Sequence, residues 1–486
     1  MKHITTIKKT ANVGFSTTSN PLIKGMYDNT SKGLTANGAV TFTRSGSNLL
    51  DFYAQAGAMR KDTARALDLF KKAFSEDRVN AVKVLFYLRD VRGGQGEREL
   101  FRTCLEWLGT DYPEIFDRIV RFVPEYGRYD DLFFDNTMCY SIIGEQLDAD
   151  SESETPSLLA KWLPTINASS ATTRAQARHM AQKLGLPEVG YRKTVREIRK
   201  KIKTVEEKMS AKKWEEIDYS HVPSQASRIY KDAFKKHDGE RYSTFVGKAV
   251  KGEVKINAST LYPYQIYKSV ESNYSETLEA LWNQLPDYTQ GKNALVVADV
   301  SGSMSGDPMS VAVSLALYFA ERNQGQFKDH FITFSNNPKL QRVVGSNLRD
   351  KMNSIERAEW GYSTDIEKVF EMILYTAQAN MVKAEEMPST IYIISDMQFN
   401  GCTVWGDTAY QSFEKKYKAA GYEMPSIVFW QVNSTSANLP TPKNQKGVAL
   451  VSGFSPVIFK MAVENKDPEQ VMMDTINSER YAQITF

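Results

Sequence analysis

Two apolar runs of strand length, Ala294–Ala298 and Thr390–Ser395, each lead into an aspartate, and this pairing constrains the 486-residue chain more than any other feature. Apolar runs of this length read as strands, and their alternation with helical segments after residue 294 points to a largely parallel sheet. Asp299 and Asp396 then emerge at one carboxyl edge, where open α/β sheets bind their ligands. The first run continues Asp299-Val-Ser-Gly-Ser303, which places the hydroxyls of Ser301 and Ser303 in the turn beside the carboxylate. Between the two strands in sequence, Thr364 precedes a helix and can cap it or face a cation. Oxygen-only donors suit a hard divalent cation. The competing reading is an ordinary polar turn, with Asp299 or Ser303 capping the helix from about Pro308.

Around these runs, strand-like and helical segments alternate from residue 294 onward. Strands are expected at 294–300, 330–335, 339–344, 390–395, 426–432 and 448–452, and helices near 308–323, 364–384 and 407–420. Such alternation predicts a largely parallel, doubly wound sheet. The turn Asn336-Asn-Pro338 predicts one antiparallel edge strand, and 455–464 and 467–478 are expected to close the fold as helices. Ahead of the linker Pro286–Asn293, the period is helical instead, as in Ala64, Leu67, Phe70, Ala73 and Phe74. Paired helices from 47 to 286 without strands predict an α-helical repeat module, although no strict period is visible. Residues 1–46, about half Thr, Ser, Gly and Asn, are expected to form a flexible N-terminal arm, and 466–486 a C-terminal helix and tail. The glycine-rich Arg89–Phe101 stretch is a helix corner: it follows a helix and lacks the Lys-Ser/Thr of a phosphate-binding loop.

Three widely spaced cysteines and five scattered histidines form neither a disulfide framework nor a zinc motif. No apolar run approaches the ~20 residues of a membrane span and the first residues carry no signal-peptide core, so a cytoplasmic protein is the expectation. A net charge of +3 is near balance, and polyanion binding therefore needs a local asymmetry. One exists. Between Arg174 and Lys213 there are thirteen Lys or Arg against four Glu. The Val195, Ile198, Ile202 and Val205 stripe makes this stretch helical, with its cations on the remaining faces. Arg174, Arg178, Arg192, Lys193, Arg196, Arg199, Lys200 and Lys203 are the candidate phosphate contacts, weighed evenly against a merely solvated helix face. Tyr191, Tyr230, Tyr242 and Phe245 lie among the cations and could stack on bases, though core packing is the commoner use of such rings.

Asp-x-Ser-x-Ser at 299–303, Thr364 before a helix and Asp396 after a strand together resemble a von Willebrand factor A domain with its metal-ion-dependent adhesion site. The resemblance implies that Ser301, Ser303 and Thr364 meet the ion through hydroxyls. Asp299 and Asp396 would contribute carboxylates directly or through water. Few, all-oxygen donors favour Mg²⁺. The helical half, through Val91-Arg-Gly-Gly-Gln-Gly-Glu-Arg98 and Tyr126-Gly-Arg-Tyr-Asp-Asp131, resembles the TROVE module of the Ro autoantigen, whose HEAT-like helical pairs precede an A domain in the same order. Closer still is an uncharacterised family with the same layout, through Ala160-Lys-Trp-Leu-Pro164, Gly190-Tyr-Arg-Lys193, His221-Val-Pro-Ser224 and Ser452-Gly-Phe-Ser455. Over residues 47–465 this implies a non-enzymatic, RNA-binding ribonucleoprotein component whose A domain assists ligand contact. The alternative is a protein-binding adaptor in which a partner's acidic residue completes the metal site. An enzyme ranks third, because no nucleophile–base set or nucleotide loop accompanies the two aspartates.

Overall fold

The computed structural model describes residues 32–289, 291, 293–334, 337–361, 364–401 and 409–486. Its C-terminal half is built on the strands β3 (Ala294–Ala298), β4 (His330–Thr333), β5 (Leu340–Arg342), β6 (Thr390–Ser395), β7 (Ser426–Gln431) and β8 (Val448–Ser452), after a hairpin of β1 (Lys32–Leu34) and β2 (Val40–Phe42). The sheet order is β5-β4-β3-β6-β7-β8. All its pairings are parallel except β4 with β5. Every residue of β3, β6 and β8 is buried, so both faces of these strands are covered. The antiparallel edge is present, while the Asn336 end of its expected turn lies outside the described residues.

The N-terminal half is helical from Asn48–Gln55 to Glu276–Asn283. Ser47, Asp62, Asp77, Asn136 and Ser170 cap successive helices by accepting backbone N–H bonds. Consecutive helices pack on one another, and the Pro263–Ser272 helix leans on Asp307–Arg322 of the sheet half. One hydrophobic core runs through both halves; a second, smaller one gathers Val205, Ile217, Tyr219, Phe234, Tyr242 and Val246. Tyr242 is thus core, with Tyr230 and Phe245 packed against it, which removes these rings from the base-stacking candidates. The Tyr126–Asp131 corner is fixed by charge. Asp131, fully buried, accepts from Arg89 Nε at 2.8 Å, Arg102 Nε at 2.9 Å and the Arg128 amide at 2.9 Å.

Two expectations are corrected. Residues 32–46 are no free arm: β1 and β2 pair, Ala39 and Phe42 are buried, and Phe42 bridges to Leu439. Residues 1–31 lie outside the described residues. The helix expected at 455–464 shrinks to a short 3-10 turn, Pro456–Lys460, because Phe459 is drawn into the rings of Phe319, Tyr392 and Trp430 and Met461 is extended. The expected C-terminal helix is present at Pro468–Ile476, and the tail after it docks as a strap. Tyr481 donates to Asp90 Oδ2 at 3.0 Å, Arg480 pairs with the same carboxylate, and Ile484 is buried. No helix among the described residues is long and apolar enough to cross a membrane.

Candidate metal centre

β3 and β6 lie side by side, and the strand order reverses between them: β4 and β5 continue on one side, β7 and β8 on the other. A crevice opens at the carboxyl edge at such a switch point. The register pairs Ala298 with Ile394, and the Asp299 amide donates to Ile394 O at 3.0 Å, so Asp299 and Asp396 leave the sheet together. Both are buried. Asp299 Oδ1 accepts the Ser301 amide at 2.9 Å and Oδ2 accepts the Ser395 hydroxyl at 2.6 Å. Asp396 Oδ1 accepts the Gln398 amide at 3.1 Å, whereas its Oδ2 has no hydrogen-bond partner. Ser303 lies near enough to favour the ionised form of Asp396 without closing a bond on that oxygen. Met397, the next residue, holds a left-handed φ of 62°, a strained conformation for a buried non-glycine residue that turns the chain sharply after the carboxylate.

Burial, opposed by the bond from Ser395 and the Ser301 amide and reinforced by the charge of Asp396, pushes the Asp299 carboxyl up to about 6. Burial raises Asp396 as well. Two carboxyls that resist ionising side by side are a place where a divalent cation is favoured, since it supplies the missing counter-charge. The hydroxyls of Ser301 and Ser303 stand 3.2 Å apart beside them. Thr364, 1% exposed, donates to Gln398 O at 2.6 Å and accepts from Asn37 Nδ2 at 3.2 Å, which leaves one further lone pair as an acceptor. The orphaned Oδ2 and this all-oxygen set fit a hard cation. Among the described residues no group of three or more His, Cys, Asp or Glu could hold a metal ion. Asp365 instead caps the Ile366–Ala379 helix, and Asp307 pairs with Lys268.

The rim contains residues that sequence reasoning did not find. The β1–β2 turn lies across it: Asn37 Nδ2 donates to Gln398 O at 2.6 Å and to Thr364 Oγ1 at 3.2 Å, and Thr35 donates to Phe399 O at 2.6 Å. Opposite, Asn433 Nδ2 donates to Ser303 O at 3.0 Å, and Arg65 of the helical half donates to Ser434 O at 3.1 Å. A hydrophobic or charge pattern carries no trace of such contacts; a polar turn between two short β-type runs at 32–42 was the available signal.

The basic stretch divides into Ala171–Lys183, Glu188–Ile202 and Val205–Ser210. Two of its candidate phosphate contacts point elsewhere. Arg199 donates to Ala160 O, Leu163 O and Thr165 Oγ1, and Arg174 to Ala168 O and Ser169 O, so both fasten the 160–169 loop. Tyr191 is buried and donates to Pro164 O, which makes it a third fastening and no stacking platform. Arg178, Arg192, Lys193, Arg196, Lys200 and Lys203 are exposed. Among them Arg178 approaches Glu188 at 3.4 Å, while Arg196 and Lys200 share Glu197.

Family comparisons divide the chain at the same place as the fold. One domain of unknown function (DUF7788) matches residues 293–483, and another (DUF2828) matches 35–117 and 166–294, so the two meet where β3 begins. The chain is similar to "Uncharacterized protein L728" of Acanthamoeba polyphaga mimivirus, at 29% identity over 91% of this chain and 86% of that one. Among solved structures it has a slight likeness to the Ro (RSR) protein of Deinococcus radiodurans, with a TM-score of 0.32 and 12% identity over 87% of this chain and 93% of that one.

Proposed function

We propose that this chain is an RNA-binding protein of the Ro type that acts by holding its ligand and performs no catalysis, its helical half gripping phosphates and its A-like domain carrying a divalent cation. The observation behind this reading is the outer face of the Glu188–Ile202 helix, where Arg192, Lys193, Arg196 and Lys200 are exposed and Lys203 follows at the helix end, with Glu197 the carboxylate that pairs with two of them. Exposed ion pairs of this kind are worth at most ~1 kcal/mol, so a phosphate can displace them. The sequence resemblance to the TROVE module, in the same order relative to an A domain, supports the same reading. Asp299, Ser301, Ser303, Thr364 and Asp396 would hold Mg²⁺, and the bound ion would offer an open position to a ligand oxygen or water.

The test is affinity for RNA against salt concentration. Replacing Arg196, Lys200 and Lys203 together by Gln should weaken binding across many sequences and make the salt slope shallower by roughly 2 to 3, since up to three phosphate contacts and their counterions are lost. A folded triple variant with the wild-type slope would refute the assignment of this face. Purification that yields one protein partner and no RNA affinity at low salt would replace the RNA reading by that of an adaptor.

A further inference from the structure

The helix Glu188–Ile202 and the loop before the Ala171–Lys183 helix enclose a cavity of about 480 Å³, lined by Thr165, Asn167, Arg192, Lys193, Arg196 and Arg199 together with apolar groups. Four cations line it and no carboxylate does. Arg192 and Arg196 lie four apart and Arg199 three further on, so all three share one helical face. Their roles differ. Arg199 is spent on Ala160 O, Leu163 O and Thr165 Oγ1, at 2.7, 2.6 and 2.8 Å. With the Tyr191 hydroxyl on Pro164 O at 2.9 Å, it fixes the opposite wall before any ligand arrives. A wall already ordered removes part of the entropic cost of binding. Arg192 and Lys193 are exposed, with no carboxylate within ion-pair distance among the described residues, and Arg196 is engaged only by the exposed Glu197 pair.

The same cavity has an apolar side. Ile166 is half-buried, and Val189, at 68% exposure, is a large apolar side chain left open at its mouth. A basic wall facing a small apolar ledge matches a ligand with an anionic end and a flat, weakly polar end, and the volume lies in the range of small-ligand sites. Guanidinium groups bind phosphate oxygens in pairs and also stack on bases.

We propose that this cavity receives a single phosphorylated nucleotide, its phosphate held by Arg192, Lys193 and Arg196 and its base laid against Ile166 and Val189. Where that nucleotide is the end of an RNA strand, the inference rests on the RNA-binding reading and gives it a terminus-specific site; a free nucleotide presents the same chemistry. The two sources separate in one experiment on the full chain, which titrates adenosine monophosphate, a short oligoadenylate with a terminal phosphate, and the same strand with hydroxyls at both ends. The phosphate-ended strand should bind about tenfold more tightly than the hydroxyl-ended one, the scale of one to two charge-assisted hydrogen bonds. Arg192→Gln with Arg196→Gln should abolish that preference at unchanged melting temperature, because both side chains are exposed. Lys200→Gln with Lys203→Gln, outside the lining, should weaken both strands equally and keep the preference. Equal affinity for the two strands with no binding of the monophosphate overturns the cavity assignment and leaves the RNA reading standing. Arg192-dependent binding of the monophosphate with neither strand bound overturns the RNA reading and supports the cavity as a free-nucleotide site.

Discussion

Asp299→Asn should make the cation-free protein more stable and at the same time remove its response to Mg²⁺. Asp299 is fully buried, and its carboxyl is pushed from 3.8 up to about 6, so the folded state binds a proton more tightly than the unfolded chain does. A raised carboxyl of this kind costs nothing below about pH 4; the cost grows as pH rises through the window and is complete above about pH 6. A shift of about 2 pH units corresponds to roughly 3 kcal/mol at neutral pH. The amide removes that charge and keeps the geometry: its oxygen can accept the Ser301 amide and its nitrogen can donate to Ser395 Oγ. Relief of up to about 3 kcal/mol is therefore expected in chelator. Wild type should recover stability when Mg²⁺ is added, by about 2.7 kcal/mol at a hundredfold excess over Kd. For a cooperative unit the size of the sheet half, this is a rise of roughly 5 to 10 °C. Thermal unfolding near neutral pH, in chelator and across a Mg²⁺ titration, reads both effects. A variant that melts below wild type in chelator, or that keeps the Mg²⁺ increment, refutes the reasoning.

Asp131→Ala should destabilise the helical half by about 3–5 kcal/mol in urea titrations, because it strands the 2%-exposed Arg89 as an unpaired buried charge. Asn37→Ala should weaken Mg²⁺ affinity by about tenfold in calorimetric titration, since Asn37 orients Thr364 and Gln398 O, and partners behind metal ligands typically act on this scale. Hydrogen exchange in β1 and β2 should speed up in the same variant.

The sheet half was legible because parallel strands write themselves as continuous apolar runs, and because Asp299 and Asp396 each stand at the end of one. Their convergence follows from topology, since adjacent parallel strands deliver their C-terminal residues to one edge. Asn37 was illegible for the opposite reason: it meets Thr364 across 327 positions through one amide, and a single polar contact leaves no period in the sequence. The basic stretch was legible as an excess of charge and illegible as a surface. Helical spacing places Arg196 and Arg199 near one another, yet it cannot show that a loop thirty-odd residues earlier presents carbonyls to Arg199 and none to Arg196. The 455–464 segment reads as apolar in either conformation. What straightens it is the ring cluster around Phe459, a tertiary effect that outweighs local preference.

The glycine-rich corner shows how a motif can be placed correctly while its work lies elsewhere. Gln95, fully buried, donates to the Tyr87 hydroxyl at 2.6 Å and accepts the Ser455 amide at 3.2 Å, so the corner reaches out of the helical half and grips the chain just past β8. That grip demands glycine on the other side: a Cβ at Gly453 would stand 2.2 Å from Gln95 Oε1, and its φ of 118° is one that L side chains rarely adopt. Gly57 makes the matching approach from the first helices, where a Cβ would lie 2.8 Å from Ser452 O and the Gly57 amide donates to Ser452 Oγ at 3.0 Å. Two backbones therefore touch directly at the end of β8, and the Asp90 carboxylate holds the C-terminal strap through Arg480 and Tyr481. Asn433 and Ser434, which follow β7, carry the same contact on to Ser303 and Arg65. The glycines between the two halves are there to let chains approach, and the rim of the candidate site around Asp299 and Asp396 is one side of that approach.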